Sequence, residues 1–356
     1  MAFIELNQNK LQHNFDFLEK LFRENGIEWG IVTKMLCGNK DYIKLVLDLG
    51  IKQALDSRIS NLKIIKSINP EIETIYIKPP AKRSIRSVVK YADISMNTEY
   101  ETIRLISEEA QQQNKNHKII IMVEMGDLRE GVMGEELVNF YGKIFELPNI
   151  EVVGLGTNLN CLNGVMPNHD KLVQLSLYVQ LIEAKFNKKI PLISGGSSVT
   201  IPLVLKHFVP ERVNHFRIGE TLYNGKNLEN GEIIDGMKTD LFMLHAEIIE
   251  LTEKPLVPYG EMGTNVAGHS IEINEEDYGK TSYRAILDVG LLDIGTEDFT
   301  PVDQSLEISG ASSDMIVLDL GTKQPNYKVG DLISFRLNYM GMLTVLNSSY
   351  ITKKIV

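Results

Sequence analysis

Eight short apolar runs, each followed by a stretch of helical or loop character, restrict the fold of this chain more than any other feature. In chain order the runs are 30–33, 53–55, 74–77, 92–95, 119–123, 152–156, 192–194 and 215–218. Runs that are apolar on both faces are typical of buried parallel strands, which need a crossover segment between them. Eight such units in succession predict an α/β fold, a closed (β/α)8 barrel of the TIM type. A doubly wound open sheet is the alternative.

The sequence changes character after Gly225, where segments of β character with Pro and Gly between them replace the alternation. This pattern predicts a second, all-β domain at the C-terminal end. We expect the barrel to occupy residues 1–228 and the β domain residues 229–356. Packing of the first few residues with the β domain is compatible with this division. The segments of β character are 241–250, 281–288, 315–320, 332–337 and 343–345.

The composition narrows the possible partners. A formal net charge of −10 argues against nucleic acid or an anionic membrane as the main partner. Two cysteines, Cys37 and Cys161, are too few for a disulfide framework, and no signal-peptide pattern begins the chain, so we expect a cytoplasmic protein. No apolar run approaches the ~20 residues that span a bilayer. The seven histidines lack zinc-site spacing and no nucleotide-binding glycine motif occurs, so we expect no metal ion and no nucleotide.

Two charged residues stand where apolar runs end, which is where βα barrels gather their chemistry. Lys34 follows the first run. If it is buried there it loses its charge easily, as Schiff-base chemistry requires, whereas an isolated lysine in such a place usually extends to solvent. Arg217 belongs to the end of the eighth run, where an unpaired charge is costly. It therefore needs a fixed partner, either a ligand atom or, as a structural alternative, Glu220.

The segment 194–198, Ser-Gly-Gly-Ser-Ser, follows the seventh run and precedes a short helical pattern. Small residues between a strand and a helix start predict a phosphate cradle, although a plain turn with a serine cap is also compatible. The loops after the seventh and eighth strands are where barrels usually bind phosphate, and Gly219 lies in the second of these loops. The position of segment 194–198 after the seventh strand, facing Gly219 after the eighth, favours the phosphate cradle over the plain turn.

These features together resemble the alanine racemase family of fold-type III pyridoxal-phosphate enzymes. The resemblance runs nearly end to end and covers both domains. Its most specific part is Arg217-Ile218-Gly219-Glu220. The other matching segments are Val32-Thr33-Lys34, Val123-Glu124-Met125-Gly126 with Arg129, Gly154-Leu155-Gly156-Thr157-Asn158, Val257-Pro258-Tyr259-Gly260, Ala311-Ser312-Ser313-Asp314 and Leu337-Asn338-Tyr339.

The resemblance implies that Lys34 holds pyridoxal 5'-phosphate and that the substrate is an amino acid. Lys34 and Tyr259 would move the Cα proton on opposite faces. Tyr259 would come from the partner subunit, which implies a homodimer with the site at its interface. Arg217 would face the pyridine nitrogen and keep its own proton, so that proton return dominates over decarboxylation or transamination. The other implied cofactor contacts are Arg129, Asn158, Gly196, Ser197, Ser198, Gly219, Glu220 and Tyr339.

Departures from the family pattern narrow the substrate. Met122, Asn158 and Gly196 replace the family's strand-five lysine, its ring-stacking histidine and the asparagine before its phosphate serine. Ser313 replaces the methionine that closes the alanine pocket, so a longer substrate has room. Asp314 beside it is a candidate partner for a cationic side chain. These differences look like the ornithine racemase branch and imply interconversion of L and D forms of ornithine or another basic amino acid.

Several alternatives stay open at this stage. One is an alanine or broad-specificity racemase. Another is a noncatalytic protein that binds or carries pyridoxal phosphate, although the known carriers of this fold lack the β domain. The aldolase and dehydratase branch of this fold needs metal ligands late in the chain. The basic-amino-acid decarboxylases carry a cysteine in the β domain, and no cysteine follows Cys161.

Overall fold

The computed structural model describes residues 2–264, 270 and 273–356. They form two compact units: residues 9–239, here called the barrel unit, and residues 2–8 with 240–356, here called the β unit. The division lies at Asp240, later than the boundary expected at 228/229. The intervening residues stay with the barrel unit because they bond to it. The Ile234 amide donates to the Gly225 carbonyl (2.9 Å), and the Lys238 amide donates to the side-chain oxygen of Asn14 (2.7 Å).

The barrel unit contains a closed ring of eight parallel strands, which confirms the (β/α)8 prediction. Each strand pairs with the next, and the last pairs with the first, with Gly30 opposite Arg217. All eight apolar runs overlap a strand. The strands are β2 (Glu28–Val32), β3 (Gln53–Asp56), β4 (Glu73–Tyr76), β5 (Ile94–Asn97), β6 (His117–Met122), β7 (Ile150–Gly156), β8 (Leu192–Ser197) and β9 (His215–Ile218).

Helices connect these strands because the intervening segments place apolar residues on one face at helical spacing. In α5, for example, Ile103, Ile106 and Ala110 are buried. Side-chain caps set two of the starts: Asn39 accepts from the amide of Tyr42, and Asn168 from that of Lys171. The helices are α1 (Gln8–Glu24), α2 (Lys40–Asp48), α3 (Ile59–Ile68), α4 (Ile85–Tyr91), α5 (Tyr100–Gln112), α6 (Leu137–Ile144), α7 (His169–Phe186), α8 (Ile201–Leu205) and α9 (Glu220–Asn224).

One apolar cluster joins side chains from most of the barrel strands. Full burial of each such side chain is worth about 1.5–3 kcal/mol, so the cluster is a main source of the stability of the barrel. It leaves the strand ends free to carry polar groups. Its members are Val32, Leu55, Ile75, Ile94, Met96, Ile120, Met122 and Val153.

The described residues of the β unit form an eight-stranded sheet, which agrees with the predicted C-terminal β domain. The strands are β1 (Phe3–Leu6), β10 (Phe242–Pro255), β11 (Thr281–Leu287), β12 (Phe299–Pro301), β13 (Glu307–Ala311), β14 (Ile316–Asp319), β15 (Leu332–Leu337) and β16 (Thr352–Ile355). The main path of the sheet has the order β12-β15-β10-β11-β14-β13, and β1 pairs with both β10 and β16.

The β character expected for residues 343–345 is wrong. This segment lies inside α10 (Tyr339–Asn347), which begins where the Asn338 side chain accepts a hydrogen bond from the amide of Gly341 at 2.8 Å. Met342, Val345 and Leu346 are buried at helical spacing. A run of three apolar residues fits a strand and a helix equally well, and the cap that decides between them lies outside the run.

None of the helices formed by the described residues is long and apolar enough to cross a membrane.

Candidate active site

Lys34 begins a single turn of 3-10 helix (Lys34–Leu36) after β2. The turn ends at Cys37, which adopts a positive φ of 49° and donates its amide to the Lys34 carbonyl. Met35 and Leu36 are buried, but the Lys34 side chain is exposed. Of the two alternatives that the sequence left open for Lys34, the structure therefore shows the exposed side chain, on a turn whose next two residues stay buried.

A buried carboxyl group is hydrogen-bonded to Thr33, the residue before Lys34. Asp56, the last residue of β3, has no exposed surface and accepts three hydrogen bonds. The donors are the hydroxyl of Thr33 (2.8 Å), the amide nitrogen of the Asn61 side chain (3.1 Å) and the backbone amide of Arg58 (2.8 Å). Burial raises the pKa of Asp56, and these hydrogen bonds oppose the rise. Because Thr33 precedes Lys34, this carboxyl group fixes the start of the turn that carries the lysine.

Arg217, on β9, is 4% exposed, and its hydrogen-bond partners among the described residues are all neutral. Its Nη1 donates to the Ser194 hydroxyl at 2.5 Å, and its Nη2 donates to the Thr157 carbonyl at 2.8 Å and the Asn158 side-chain oxygen at 3.3 Å. Burial lowers its pKa to about 10, with Glu130 opposing that fall. The guanidinium therefore stays charged at neutral pH. None of these three partners is Glu220, so the salt bridge named as the structural alternative does not hold the guanidinium.

The loops after β8 and β9 are joined through Ser198. Its hydroxyl oxygen accepts hydrogen bonds from the amides of Gly219 (3.3 Å) and Thr221 (3.2 Å). Gly196 has a φ of +137°, and a Cβ at that position would lie 2.4 Å from the hydroxyl of Thr200. A glycine is therefore required where this loop turns. Ser198 binds the second loop, while Ser197 is partly exposed.

The loop after β6 is fixed to the segment after β7 by one buried side chain. Asp127 has no exposed surface. Its Oδ2 accepts from the amides of Cys161 (3.1 Å) and Leu162 (2.9 Å), and its Oδ1 from those of Asn163 (3.1 Å) and Val165 (3.2 Å). Burial acts to raise the pKa of Asp127, but the four amide donors outweigh it and hold the pKa below its ordinary value.

Arg129 lies in the same loop as Asp127. Its guanidinium is paired with the carboxylate of its neighbour Glu130. The charges of both residues act on Arg217: Glu130 raises its pKa and Arg129 lowers it. This loop therefore lies beside the arginine at the end of the barrel.

Glu220 is the first residue of α9 and lies in the field of Lys34. Burial raises the pKa of the Glu220 carboxyl, and the charge of Lys34 and a hydrogen bond from Asn224 oppose that rise. Lys34 and Glu220 thus interact electrostatically across the ends of β2 and β9, which are neighbours in the ring.

The carboxyl ends of the barrel strands therefore bring nine of the sequence-predicted residues to one end of the barrel. Hydrogen bonds join Arg217 to Asn158 and Ser198 to Gly219, and electrostatic interactions relate Lys34 to Glu220. The nine are Lys34, Arg129, Asn158, Gly196, Ser197, Ser198, Arg217, Gly219 and Glu220.

The other four predicted residues lie in the β unit. Tyr259 follows β10 and is 98% exposed. Ser313 and Asp314 lie in the turn between β13 and β14, where the Ser313 hydroxyl donates to the exposed Asp314 carboxylate at 2.8 Å. Tyr339 is the first residue of α10 and is partly buried.

Sequence reasoning missed the supporting roles of Asp56, Asp127 and Ser194. For Asp56 and Ser194 the signal was available, because a polar residue inside or directly after an apolar run must satisfy its hydrogen bonds in the core. Asp127 lies four residues after its run and gave no such signal. The identity of the partners was not available, because they come from other strands and loops. Over the described part of the chain, no group of three His, Cys, Asp or Glu residues is placed to hold a metal ion.

A lysine after the first strand, a buried guanidinium on the last and a glycine-serine segment at the end of β8 define a (β/α)8-barrel protein with a polar site at the carboxyl ends of its strands. Residues 6–227 match the family described as alanine racemase, N-terminal domain. The chain belongs to this family.

Two relatives match nearly the whole chain. The chain is 38% identical to an ornithine racemase from Acetoanaerobium sticklandii, over 99% of both chains. It is 31% identical to a lysine racemase from Thermotoga maritima, over 98% of this chain and 96% of the relative. Among solved structures, the fold matches an alanine racemase from Clostridium difficile in complex with cycloserine. The TM-score is 0.76, with 15% identity, over 100% of this chain and 95% of the other.

Proposed function

We propose that this protein is a pyridoxal-phosphate-dependent racemase that interconverts the L and D forms of ornithine or another basic amino acid. The observation that carries the proposal is the placement of Lys34 at the same end of the barrel as the buried, charged Arg217. The ornithine and lysine racemases that match over nearly the whole chain support the substrate class.

The residues at this end of the barrel fit pyridoxal 5'-phosphate. The side-chain nitrogen of Asn158 is buried and has no hydrogen-bond partner among the described residues, so it can serve a ligand beside Arg217. Gly196 and Ser197, the last two residues of β8, lie in the segment predicted to hold phosphate. When bound, the cofactor would supply an electron sink that makes the Cα proton of an amino acid acidic.

Each proposed role follows from the side chain and its surroundings. The Lys34 amine would hold the cofactor and transfer the Cα proton on one face, and the Tyr259 hydroxyl would do so on the other. Arg217 would donate a hydrogen bond towards the ring nitrogen and keep its proton, since its pKa stays near 10 despite burial. Arg129 would face the cofactor from the loop that Asp127 fixes.

The remaining cofactor contacts that we propose are Ser198, Gly219 and Glu220 in the barrel unit and Tyr339 in the β unit. Ser313 would leave room for a side chain longer than that of alanine. Asp314, whose exposed carboxylate accepts a hydrogen bond from its neighbour Ser313, would attract a terminal ammonium group.

The test combines a spectrum with a turnover assay. Purified protein should show the absorbance of bound cofactor and produce D-ornithine from L-ornithine faster than D-alanine from L-alanine. Lys34→Ala should remove both the absorbance and the turnover, whereas Lys40→Ala, at the exposed start of α2, should keep both. Cofactor absorbance without turnover would instead identify a noncatalytic carrier. Preference for alanine would refute the proposed specificity.

We also propose that the protein is a cytoplasmic homodimer in which each site takes Tyr259 from the partner subunit. The near-complete exposure of this tyrosine in the single chain supports the idea, because a catalytic hydroxyl needs a defined environment. Lys34→Ala and Tyr259→Phe chains, each inactive alone, should recover activity when co-expressed, because one site of the mixed dimer is then intact. If Tyr259 served its own chain, no intact site would form and no activity would return.

A further inference from the structure

A continuous series of hydrogen bonds leads from Arg217 to Glu73, across four strands of the barrel. Arg217 Nη1 is 2.5 Å from Ser194 Oγ, which is 2.9 Å from His215 Nδ1. His215 Nε2 is 2.9 Å from Gln53 Oε1, and Gln53 Nε2 is 2.6 Å from Glu73 Oε2. Ser194 and His215 have no exposed surface, and Gln53 is 6% exposed. We call these five residues the relay.

The two ends of the relay fix the direction of three of its four bonds. A guanidinium can only donate and a carboxylate can only accept. Ser194 therefore accepts from Arg217, Gln53 donates to Glu73, and Gln53 Oε1 accepts from His215 Nε2. The Ser194 hydroxyl has one proton and two lone pairs, so it can donate to Nδ1 of a neutral ring or accept from a doubly protonated one. Only the neutral ring, with its proton on Nε2, gives the Ser194 proton an acceptor within the relay.

Burial supports the same protonation state. It lowers the pKa of His215 to about 3, and the charge of Arg217 contributes to the decrease. A protonated imidazole would have no acceptor at Nδ1 for the Ser194 hydroxyl. The relay and the desolvation of the ring therefore agree.

The bond between His215 and Gln53 exists only because the strand between them leaves space. β9 and β3 are not neighbours; β2 lies between them in the ring. At Gly30 of β2, a Cβ would lie 2.9 Å from the Cβ of Gln53 and 2.2 Å from a methyl carbon of Leu55. A side chain at residue 30 would therefore force Gln53 to move.

We infer that His215 is a positioning residue which, through Ser194 and Gln53, orients the guanidinium of Arg217 towards the cofactor. The inference rests on the proposed function only in the assumption that Arg217 contacts the cofactor. The arrangement of the relay itself is a property of the protein without cofactor. The charge at the far end, on Glu73, polarises every bond in the direction that makes Ser194 a better acceptor for Arg217.

The first experiment examines the cofactor-free wild-type protein. Nitrogen-15 NMR of protein labelled only in its seven histidines resolves which ring nitrogen carries the proton. Loss of a signal in His215→Gln assigns the residue. We expect protonated Nε2 and unprotonated Nδ1, unchanged from about pH 5 to about pH 8, where exposed histidines titrate. A proton on Nδ1, or titration of His215 within this range, would overturn the inference.

The second experiment measures the dissociation constant of pyridoxal 5'-phosphate. His215→Phe should weaken binding about tenfold, the effect of one lost buried hydrogen bond. His215→Gln should restore most of it, since an amide can both accept and donate. His117→Phe is the matched control. His117, on β6, is also buried, and its ring is hydrogen-bonded to the hydroxyl of Ser95 at 2.9 Å. An equal loss in the control would mean that barrel packing, and not the relay, is responsible.

A double-mutant cycle then tests whether His215 acts through Arg217. In an Arg217→Lys background, His215→Phe should have little further effect on the dissociation constant. An undiminished effect would overturn the inference. If the wild-type protein binds no pyridoxal phosphate, the proposed function fails, but the NMR result still decides whether the relay exists. The same measurement decides the matter if His215→Phe does not fold.

Discussion

Replacing Asp127 by asparagine is expected to detach the loop that carries Arg129 from the segment that follows Asn158. An asparagine has the same shape but presents an NH2 group where one carboxylate oxygen was, so two of the four backbone amides bonded to Asp127 lose their acceptor. Each hydrogen bond to a charged acceptor is worth about 1.5–3 kcal/mol, which sets an upper limit of about 3–6 kcal/mol. Leu162 is 61% exposed, so water can replace part of the loss.

We therefore expect a local cost of about 3 kcal/mol, near the lower end of that range. Since 1.4 kcal/mol corresponds to a tenfold change, amide hydrogen exchange in residues 161–165 should become about a hundredfold faster. Mass spectrometry of the corresponding peptides measures this rate. Asp303→Asn is the control, because Asp303 accepts from Ser305 and Tyr327 in an exposed turn of the β unit.

Acidification tests the same interaction in the wild-type protein. The pKa of Asp127 is lower in the folded chain than its ordinary value, so its contribution is fully present above an unfolded pKa of about 3.9. It is lost as the pH falls through the lower, folded pKa. The difference between wild type and Asp127→Asn should therefore shrink below about pH 3.9. Wild-type exchange rates in the variant at neutral pH would refute the reasoning.

Three further substitutions test the loops and the specificity. Gly196→Ala should weaken pyridoxal-phosphate binding at least about tenfold in a fluorescence titration, because the added Cβ would clash with the Thr200 hydroxyl. Gly231→Ala is the control and should not weaken binding, since Gly231 also has a positive φ but no atom lies near its added Cβ. Ser198→Ala leaves two amides without their acceptor and should lower the urea-derived stability by about 1–3 kcal/mol, and an unchanged midpoint would contradict this. Asp314→Asn should raise KM for ornithine and lysine more than for alanine, and an equal change for all three would exclude a charge contact.

Much of the fold could be predicted because burial on both faces of a strand leaves a local signature. Each apolar run of the barrel contains its own evidence, and eight in succession leave few topologies. The prediction failed for 343–345 because the run is short and the deciding contact, the cap by Asn338, is not a property of the apolar residues. Family and fold are confirmed, whereas the roles of individual site residues stay predictions.

The site was predictable only in part, for a related reason. Parallel strands end on the same side of a sheet, so the sequence alone indicated that Lys34, Ser197 and Arg217 gather at one end of the barrel. It left open whether Lys34 is buried or extends to solvent, because an apolar run does not show where the side chain after it points. Nor could it show the neutral partners of Arg217, because it offered only a ligand atom or an acid such as Glu220.

The order of strands and helices, the presence of a β domain and the family are contained in the sequence itself, because local hydrophobic patterns and motif residues are read along the chain. The relay is not. His215 and Gln53 are 162 residues apart and meet only because the ring closes with β9 beside β2. Closure also places Gly30 between these two residues, where the missing side chain leaves room for their hydrogen bond, and it sets which nitrogen of His215 carries the proton. Hydrogen-bond direction depends on partners in three dimensions, so only the tertiary structure decides it.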